Sequence, residues 1–149
     1  MSMNWGQATW LFMHSLSYKI KDEKFLEHKS EIIEIFSKIC SSLPCPDCQQ
    51  HAKHFVAKTD FNKIKCKRDF IDMIWVFHNI VNKRQGKPTF LYKSLVIYEK
   101  SIFINVCKNF VSIYNRPINN QRLLLNSMGR DRATQHILKF VINNKNIFD

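Results

Sequence analysis

Apolar positions recur with a helical rather than a strand period along most of the chain. Between Trp5 and Tyr18, Trp10, Leu11, Phe12, Met13 and Leu16 predict a helix that is apolar nearly all round and so well buried. Lys21-Asp22-Glu23 interrupts it. A second helix is predicted from about Asp22 to Ser41, with Phe25, Leu26, Ile32, Ile33, Phe36 and Ile39 in one stripe. Ser41-Ser42-Leu43-Pro44 ends it, because the residue before a proline avoids the α region. A third helix starts at Cys45, with Pro46 suited to its first turn, and runs to about Lys58. Thr59 to Lys67 reads as a polar loop. A fourth helix covers roughly Arg68 to Gln85, striped by Phe70, Ile71, Ile74, Trp75, His78 and Val81, and Gly86-Lys87-Pro88 stops it.

Leu91 to Tyr114 fits a helix through Leu95, Tyr98, Ile102, Val106, Phe110 and Ile113, although its β-branched content also suits a strand. After four helices, helix is the expectation. Arg116-Pro117-Ile118-Asn119-Asn120 reads as a linker. Two short amphipathic helices are expected beyond it, split near Gly129, with Asp131 capping the second. The expected division is a main domain over residues 1–114 and a C-terminal helical extension over 115–149.

Composition agrees with an all-α chain. Only 3 Gly and 4 Pro leave little material for the turns of an all-β fold. With 45% hydrophobic residues and 12 Phe, 149 residues are enough for one buried core. The net charge of +11 suits nucleic acid, an anionic membrane surface or acidic protein partners. The Lys and Arg residues form no run of five, so a solvated basic surface is the first reading and a nucleic-acid binder a distant one. The first residues lack a basic region followed by an apolar one, and no apolar stretch approaches the ~18 residues that span a bilayer. Ser2 does not fit the myristoylation pattern. An unexported chain is therefore expected, and its five cysteines point to catalysis or metal binding rather than a secreted disulfide framework.

Cys45-Pro46-Asp47-Cys48 places two thiols within one turn at a helix start, where unpaired N–H groups and the helix dipole favour a thiolate. Disulfide exchange needs one reachable and one resolving sulfur. Cys45 is expected to be the exposed one and Cys48 the deeper one. Zinc is the rival. Cys45, Cys48, His51 and His54 repeat every three residues, but ligands on one continuous helix face cannot surround a tetrahedral ion. Cys40, Cys66 or His78 would have to join them. Two inert core cysteines are a third reading.

On the fourth helix His78 and Asn82 share one face, and Asn79 and Lys83 the neighbouring one. Asparagines in mid-helix are unfavourable. They mark a solvated face, a helix that ends early near Asn79, or a polar wall for the ribose, phosphates and adenine of a nucleotide. Lys83 and Lys87 would then neutralise a pyrophosphate. Trp10 and His14, four apart, offer flat surfaces for stacking. Each pair alone would favour core packing.

Taken in chain order, Trp5-Gly6, Trp10 and His14, Pro44-Cys45-Pro46-Asp47-Cys48, His78-Asn79-Ile80-Val81-Asn82 and Gly86-Lys87-Pro88 resemble the Erv/ALR family of FAD-dependent sulfhydryl oxidases. The resemblance covers about Trp5 to Tyr98. Ser42 to Ala52 looks most like the short members of large cytoplasmic DNA viruses. It implies a bundle of four helices plus a short fifth that encloses FAD at one end, usually as a homodimer. It also implies a cytoplasmic setting, host cytoplasm or virion if the chain is viral. Cys45 and Cys48 become the catalytic pair. Gly6, Trp10, His14, Cys48, His51, His78, Asn79, Val81, Asn82, Lys83, Lys87 and Tyr98 become the FAD-contact candidates.

The implied reaction oxidises thiols of a protein substrate or small redox carrier through Cys45–Cys48. Electrons then pass to FAD and on to O2, giving H2O2. The sequence departs from the family pattern at three places. Gln7 stands where Arg is frequent, and Gln85 where Leu is. Trp75 replaces a cysteine that in many members staples the fourth helix to the fifth. There is no second cysteine pair to serve as a shuttle. A partner thiol is therefore expected to meet Cys45 directly, with Cys40, Cys66 and Cys107 as buried, unreactive thiols.

Overall fold

A computed structural model describes residues 3–116 and 127–149. The all-α expectation holds: helices dominate, and the β pairing among the described residues is an isolated bridge between Ile20 and Phe148. Helix α1 (Trp5–Lys19) begins with a reciprocal cap. The Gln7 N–H donates to Asn4 Oδ1 at 2.8 Å and the Asn4 N–H to Gln7 Oε1 at 3.0 Å. Helix α2 (Asp22–Cys40) has no side-chain cap but carries Asp22 and Glu23 in its first turn, where the dipole favours them. Helix α3 (Pro46–Lys58) and helix α4 (Lys67–Arg84) follow, separated by a 3₁₀ turn at Phe61–Lys63. Helix α4 ends in a Schellman motif. Gly86, at φ +69°, donates to Lys83 C=O at 3.2 Å, and Lys87 to Asn82 C=O at 2.8 Å. Only glycine takes that φ without strain.

The predicted long helix over Leu91–Tyr114 divides. Tyr92–Lys100 is 3₁₀, and helix α5 spans Phe103–Tyr114. The cause is packing: Leu95 and Tyr98, three apart, are buried together against Ile71 on α4, and a three-residue turn puts both on one edge. Beyond residue 126, helix α6 (Ser127–Asn143) runs straight through Gly129, which corrects the expected split, and Asp131 lies inside it rather than capping a new helix. Gly129 is there for close approach: a Cβ at that position would sit 3.4 Å from Ser42 Cβ. The first of the two short helices expected beyond the Arg116–Asn120 linker falls largely on residues 121–126, outside the described residues.

Helix α1 is the axis of the molecule. It packs against α4, α5 and the 3₁₀ segment, while α2 packs against α3, α4 and α6. Phe12 on α1 stacks on Phe110 of α5 at 4.7 Å. Phe36 of α2 meets Phe77 of α4 edge-on at 5.8 Å, and Phe77 stacks on Phe55 of α3 at 4.5 Å. Ile35 takes the buried place in α2 expected for Leu26, which is 63% exposed. Ile137, Phe140 and Val141 of α6 join the same apolar cluster as α1 and α4. The segment linking α2 to α3 is anchored through Ser42, whose hydroxyl bonds Lys38 C=O at 2.8 Å and the buried Tyr114 hydroxyl at 2.8 Å. Tyr114 in turn donates to Ile39 C=O at 3.0 Å. Among the described residues, no helix is long and apolar enough to cross a membrane.

Candidate active site

Pro46 at the first helical position and Cys45 at the cap fix the start of α3. Cys45 Sγ itself is the cap, accepting the Cys48 N–H at 3.2 Å. Beside it Arg84, from the end of α4, binds Asp47 Oδ2 at 2.7 Å, and His51 Nε2 stands 3.7 Å from Asp47 Oδ1. The general expectation that a helix start lowers a cysteine pKa does not hold for Cys48, which is pushed up to about 11. Burial is the main cause, followed by the hydrogen bond and charge of Cys45, with Asp47 adding and Arg84 opposing. In the dithiol, Cys48 therefore holds its proton at neutral pH.

Cys48 opens into a cavity of about 600 Å3 between α1, α3 and α4. Gly6, Trp10, His78, Val81, Asn82, Lys87 and Tyr98, all among the expected FAD-contact candidates, line it. Arg84, Gln85, Gln7, Phe77 and Leu43 line it too. No carboxylate does; its cationic side chains are Lys87 and Arg84, the latter paired with Asp47. Sequence reasoning misses Arg84 because a position at a helix end reads as solvent-facing. Arg84 also takes the place expected for Lys83, which is exposed and does not line the cavity.

The aromatic side of the cavity is already stacked. Trp10 and His78 lie 4.0 Å apart and within 8° of parallel. His14 does not reach the cavity surface. It is fully buried behind His78, bonded to it from Nε2 to Nδ1 at 2.8 Å, and packed on Tyr98 at 4.8 Å and Phe90 at 5.5 Å. Its flat faces are thus occupied by protein. Burial, reinforced by His78, lowers His14 to about 3, and burial with Lys87 lowers His78 to about 4, so both rings are neutral. His14 Nδ1 is buried with no hydrogen-bond partner. Burial raises Tyr98 to about 12, keeping its hydroxyl protonated.

Asn79 works elsewhere. Its side chain clamps the backbone of Phe90, accepting the Phe90 N–H at 2.8 Å and donating to the Phe90 C=O at 3.1 Å. Trp75 Nε1 donates to the same carbonyl at 2.8 Å, and Asn82 Nδ2 to Pro88 C=O at 3.2 Å. The mid-helix asparagines therefore fold the chain after Gly86 back along α4, which holds Lys87 at the cavity. Trp75 meets Tyr92 edge-on at 5.3 Å, and the Tyr92 hydroxyl donates to Asp72 at 2.6 Å and accepts from Arg68 at 2.8 Å. A noncovalent clamp thus joins α4 to the 3₁₀ segment. Asn79→Ala should cost about 1–2 kcal/mol through these two bonds. Urea unfolding measures that loss, and faster hydrogen exchange at the Phe90 amide locates it. Unchanged exchange there would contradict the clamp.

His51 lies outside the cavity, on the exposed side of α3. Among the described residues the five cysteines form no disulfide, and no three His, Cys, Asp or Glu side chains converge as a metal site would require. Cys40 and Cys107 are buried, and burial raises both thiols, Cys107 to about 12. Cys66 departs from the expectation of burial: it is exposed at the start of α4.

The chain is similar to the FAD-linked sulfhydryl oxidase ERV1 of Oryza sativa subsp. japonica, at 29% identity over 57% of this chain and 43% of that one. It is similar to the FAD-linked sulfhydryl oxidase of African swine fever virus, at 31% identity over 67% of this chain and 84% of that one. It thus spans less than half the length of the plant relative. No solved structure matches it. The model of the Erv1 / Alr family matches residues 7–101, which takes in the capped dithiol, the Trp10–His78 stack and the asparagine clamp. The chain belongs to the Erv1/Alr family.

Proposed function

We propose that this protein is an FAD-dependent sulfhydryl oxidase whose active pair is Cys45 and Cys48. The observation that carries the reading is the opening of Cys48 into an aromatic, carboxylate-free cavity that holds Arg84 and Lys87. A flat ring system bearing phosphates fits that lining, and the volume suits a bound cofactor. Gly6, Trp10, His78, Val81, Asn82, Lys87 and Tyr98 would contact FAD directly. His14 and Asn79 would act through His78 and through the loop that carries Lys87. Bound there, FAD supplies a two-electron acceptor that O2 can reoxidise, with H2O2 as product.

The protein's own part is thiol exchange. A substrate thiolate attacks Cys45 Sγ of the Cys45–Cys48 disulfide, breaking the S–S bond and releasing Cys48. A second substrate thiolate attacks the mixed disulfide and releases Cys45, so the substrate leaves as a disulfide and the pair is left as two thiols. Cys45 takes the attack because Cys48 lies against the cavity. The substrate is a thiol-bearing protein or small redox carrier, and the active species a homodimer in the cytoplasm of a cell or in a virion.

A visible absorption spectrum tests the reading. The purified protein should show flavin bands that bleach with dithiothreitol under nitrogen and return in air. A colourless, folded protein that takes up no added FAD would overturn it.

A further inference from the structure

A second groove, of about 330 Å3, runs along the outer side of α3 and α4 and shares Arg84, Val81 and Phe77 with the cofactor cavity. Its floor is apolar, made by Phe55, Phe77, Ile80 and Val81. Ile80 is 51% exposed, and Val76, one turn before it on α4, is 43% exposed, so the apolar strip continues past the groove. The rim is basic: Lys58, Arg84, His51 and His54. No carboxylate lines it, and Asp47, beside its Arg84 end, is bound by Arg84. The groove starts at that ion pair, beside the dithiol, and follows α3 toward Lys58. Six to thirteen residues along a helix place it about 9–20 Å from Cys45.

Resting on the oxidase reading, we propose that this groove docks the thiol-bearing partner through an acidic, extended segment with one apolar anchor. An exposed apolar strip edged by Lys58, Arg84 and two imidazoles, with no carboxylate in its lining, complements glutamates or aspartates beside a leucine-like residue. The distance from Cys45 sets where that segment lies in the partner, about three to six residues from its cysteines at roughly 3.3 Å per extended residue. Nucleic acid fits less well, because it needs free aromatic faces, and Phe55 is stacked on Phe77. The basic rim thus selects substrates for a dithiol that would otherwise react with any accessible thiol.

The test uses the FAD-loaded full chain and two synthetic peptides. Each carries a cysteine pair and a leucine four residues away, flanked by glutamates in one and lysines in the other. Oxygen consumption gives kcat/KM, with dithiothreitol as a substrate too small to use the groove. The glutamate peptide should be preferred by about tenfold or more at low salt, and the preference should shrink as salt is added. Lys58→Glu and Ile80→Ser should each erode the preference through KM and leave dithiothreitol turnover unchanged. Serine-for-cysteine versions of the peptides, followed by fluorescence anisotropy, read docking without turnover. Glutamate-selective binding without dithiothreitol oxidation would keep the groove and remove the oxidase reading. Equal binding and equal turnover of the two peptides would overturn the proposal. So would an oligonucleotide that binds the groove in place of the peptide, or a dimer that Ile80→Ser converts to monomer.

Discussion

Cys48→Ser should lower dithiothreitol turnover by about a thousandfold or more while the protein keeps its fold and its flavin. The residue is half-buried at the wall of the cavity, and serine fills nearly the same volume, so packing should survive. What disappears is the second sulfur. Without it no Cys45–Cys48 disulfide forms for a substrate thiolate to attack, and no sulfur faces the cavity. Oxygen consumption and anaerobic bleaching should fail together. Cys66→Ser should leave both intact, because Cys66 sits exposed at the start of α4, outside the cavity. Retained turnover in Cys48→Ser would move the relay to another group and undo the assignment.

Stability should fall as the solution is acidified through the histidine range. His14 and His78 titrate at about 3 and about 4 in the folded chain, against 6.5 for an ordinary histidine. Below that ordinary value the unfolded chain gains protons that the folded chain refuses. Folding is therefore fully favoured above it and loses ground as pH drops toward the folded values. At pH 5, about one and a half units below the ordinary value, His14 alone should cost about 2 kcal/mol. His78 adds a smaller amount because it is partly solvated. Urea midpoints measured from neutral pH down to about 5 check this before ordinary carboxylates begin to titrate. His14→Gln should flatten the slope. An unchanged slope would mean that the ring is not held neutral in the stack.

The helix frame is legible in the sequence because its signals are local. Pro46 at the start of α3 and Gly86 at the end of α4 each act within one turn. The dithiol is legible for the same reason. The functions of the asparagines are not. Spacing shows that Asn79 and His78 lie on α4, but not that the chain after Gly86 returns along that helix to meet Asn79. The surroundings of His14 are hidden in the same way: its partner on α4 is 64 residues away, and only the fold brings Phe90 and Tyr98 over its faces. The 3₁₀ segment is hidden because Leu95 and Tyr98 fit both a three-residue and a 3.6-residue turn. At Gly129 a glycine that reads as a break proves to be a contact, since the neighbour it admits is Ser42.

The clamp between α4 and the 3₁₀ segment separates what this molecule is made of from what it acts on. Trp75, Asn79 and Tyr92 hold the cofactor-side loop with hydrogen bonds and ring contacts. Nothing in that joint is a thiol. A sulfhydryl oxidase, the proposed reading, is exposed at every turnover to the reagents that open structural disulfides. Here the frame offers those reagents no target. The surroundings can become strongly reducing and change the state of Cys45 and Cys48 without loosening the joint that presents Lys87 to the cavity.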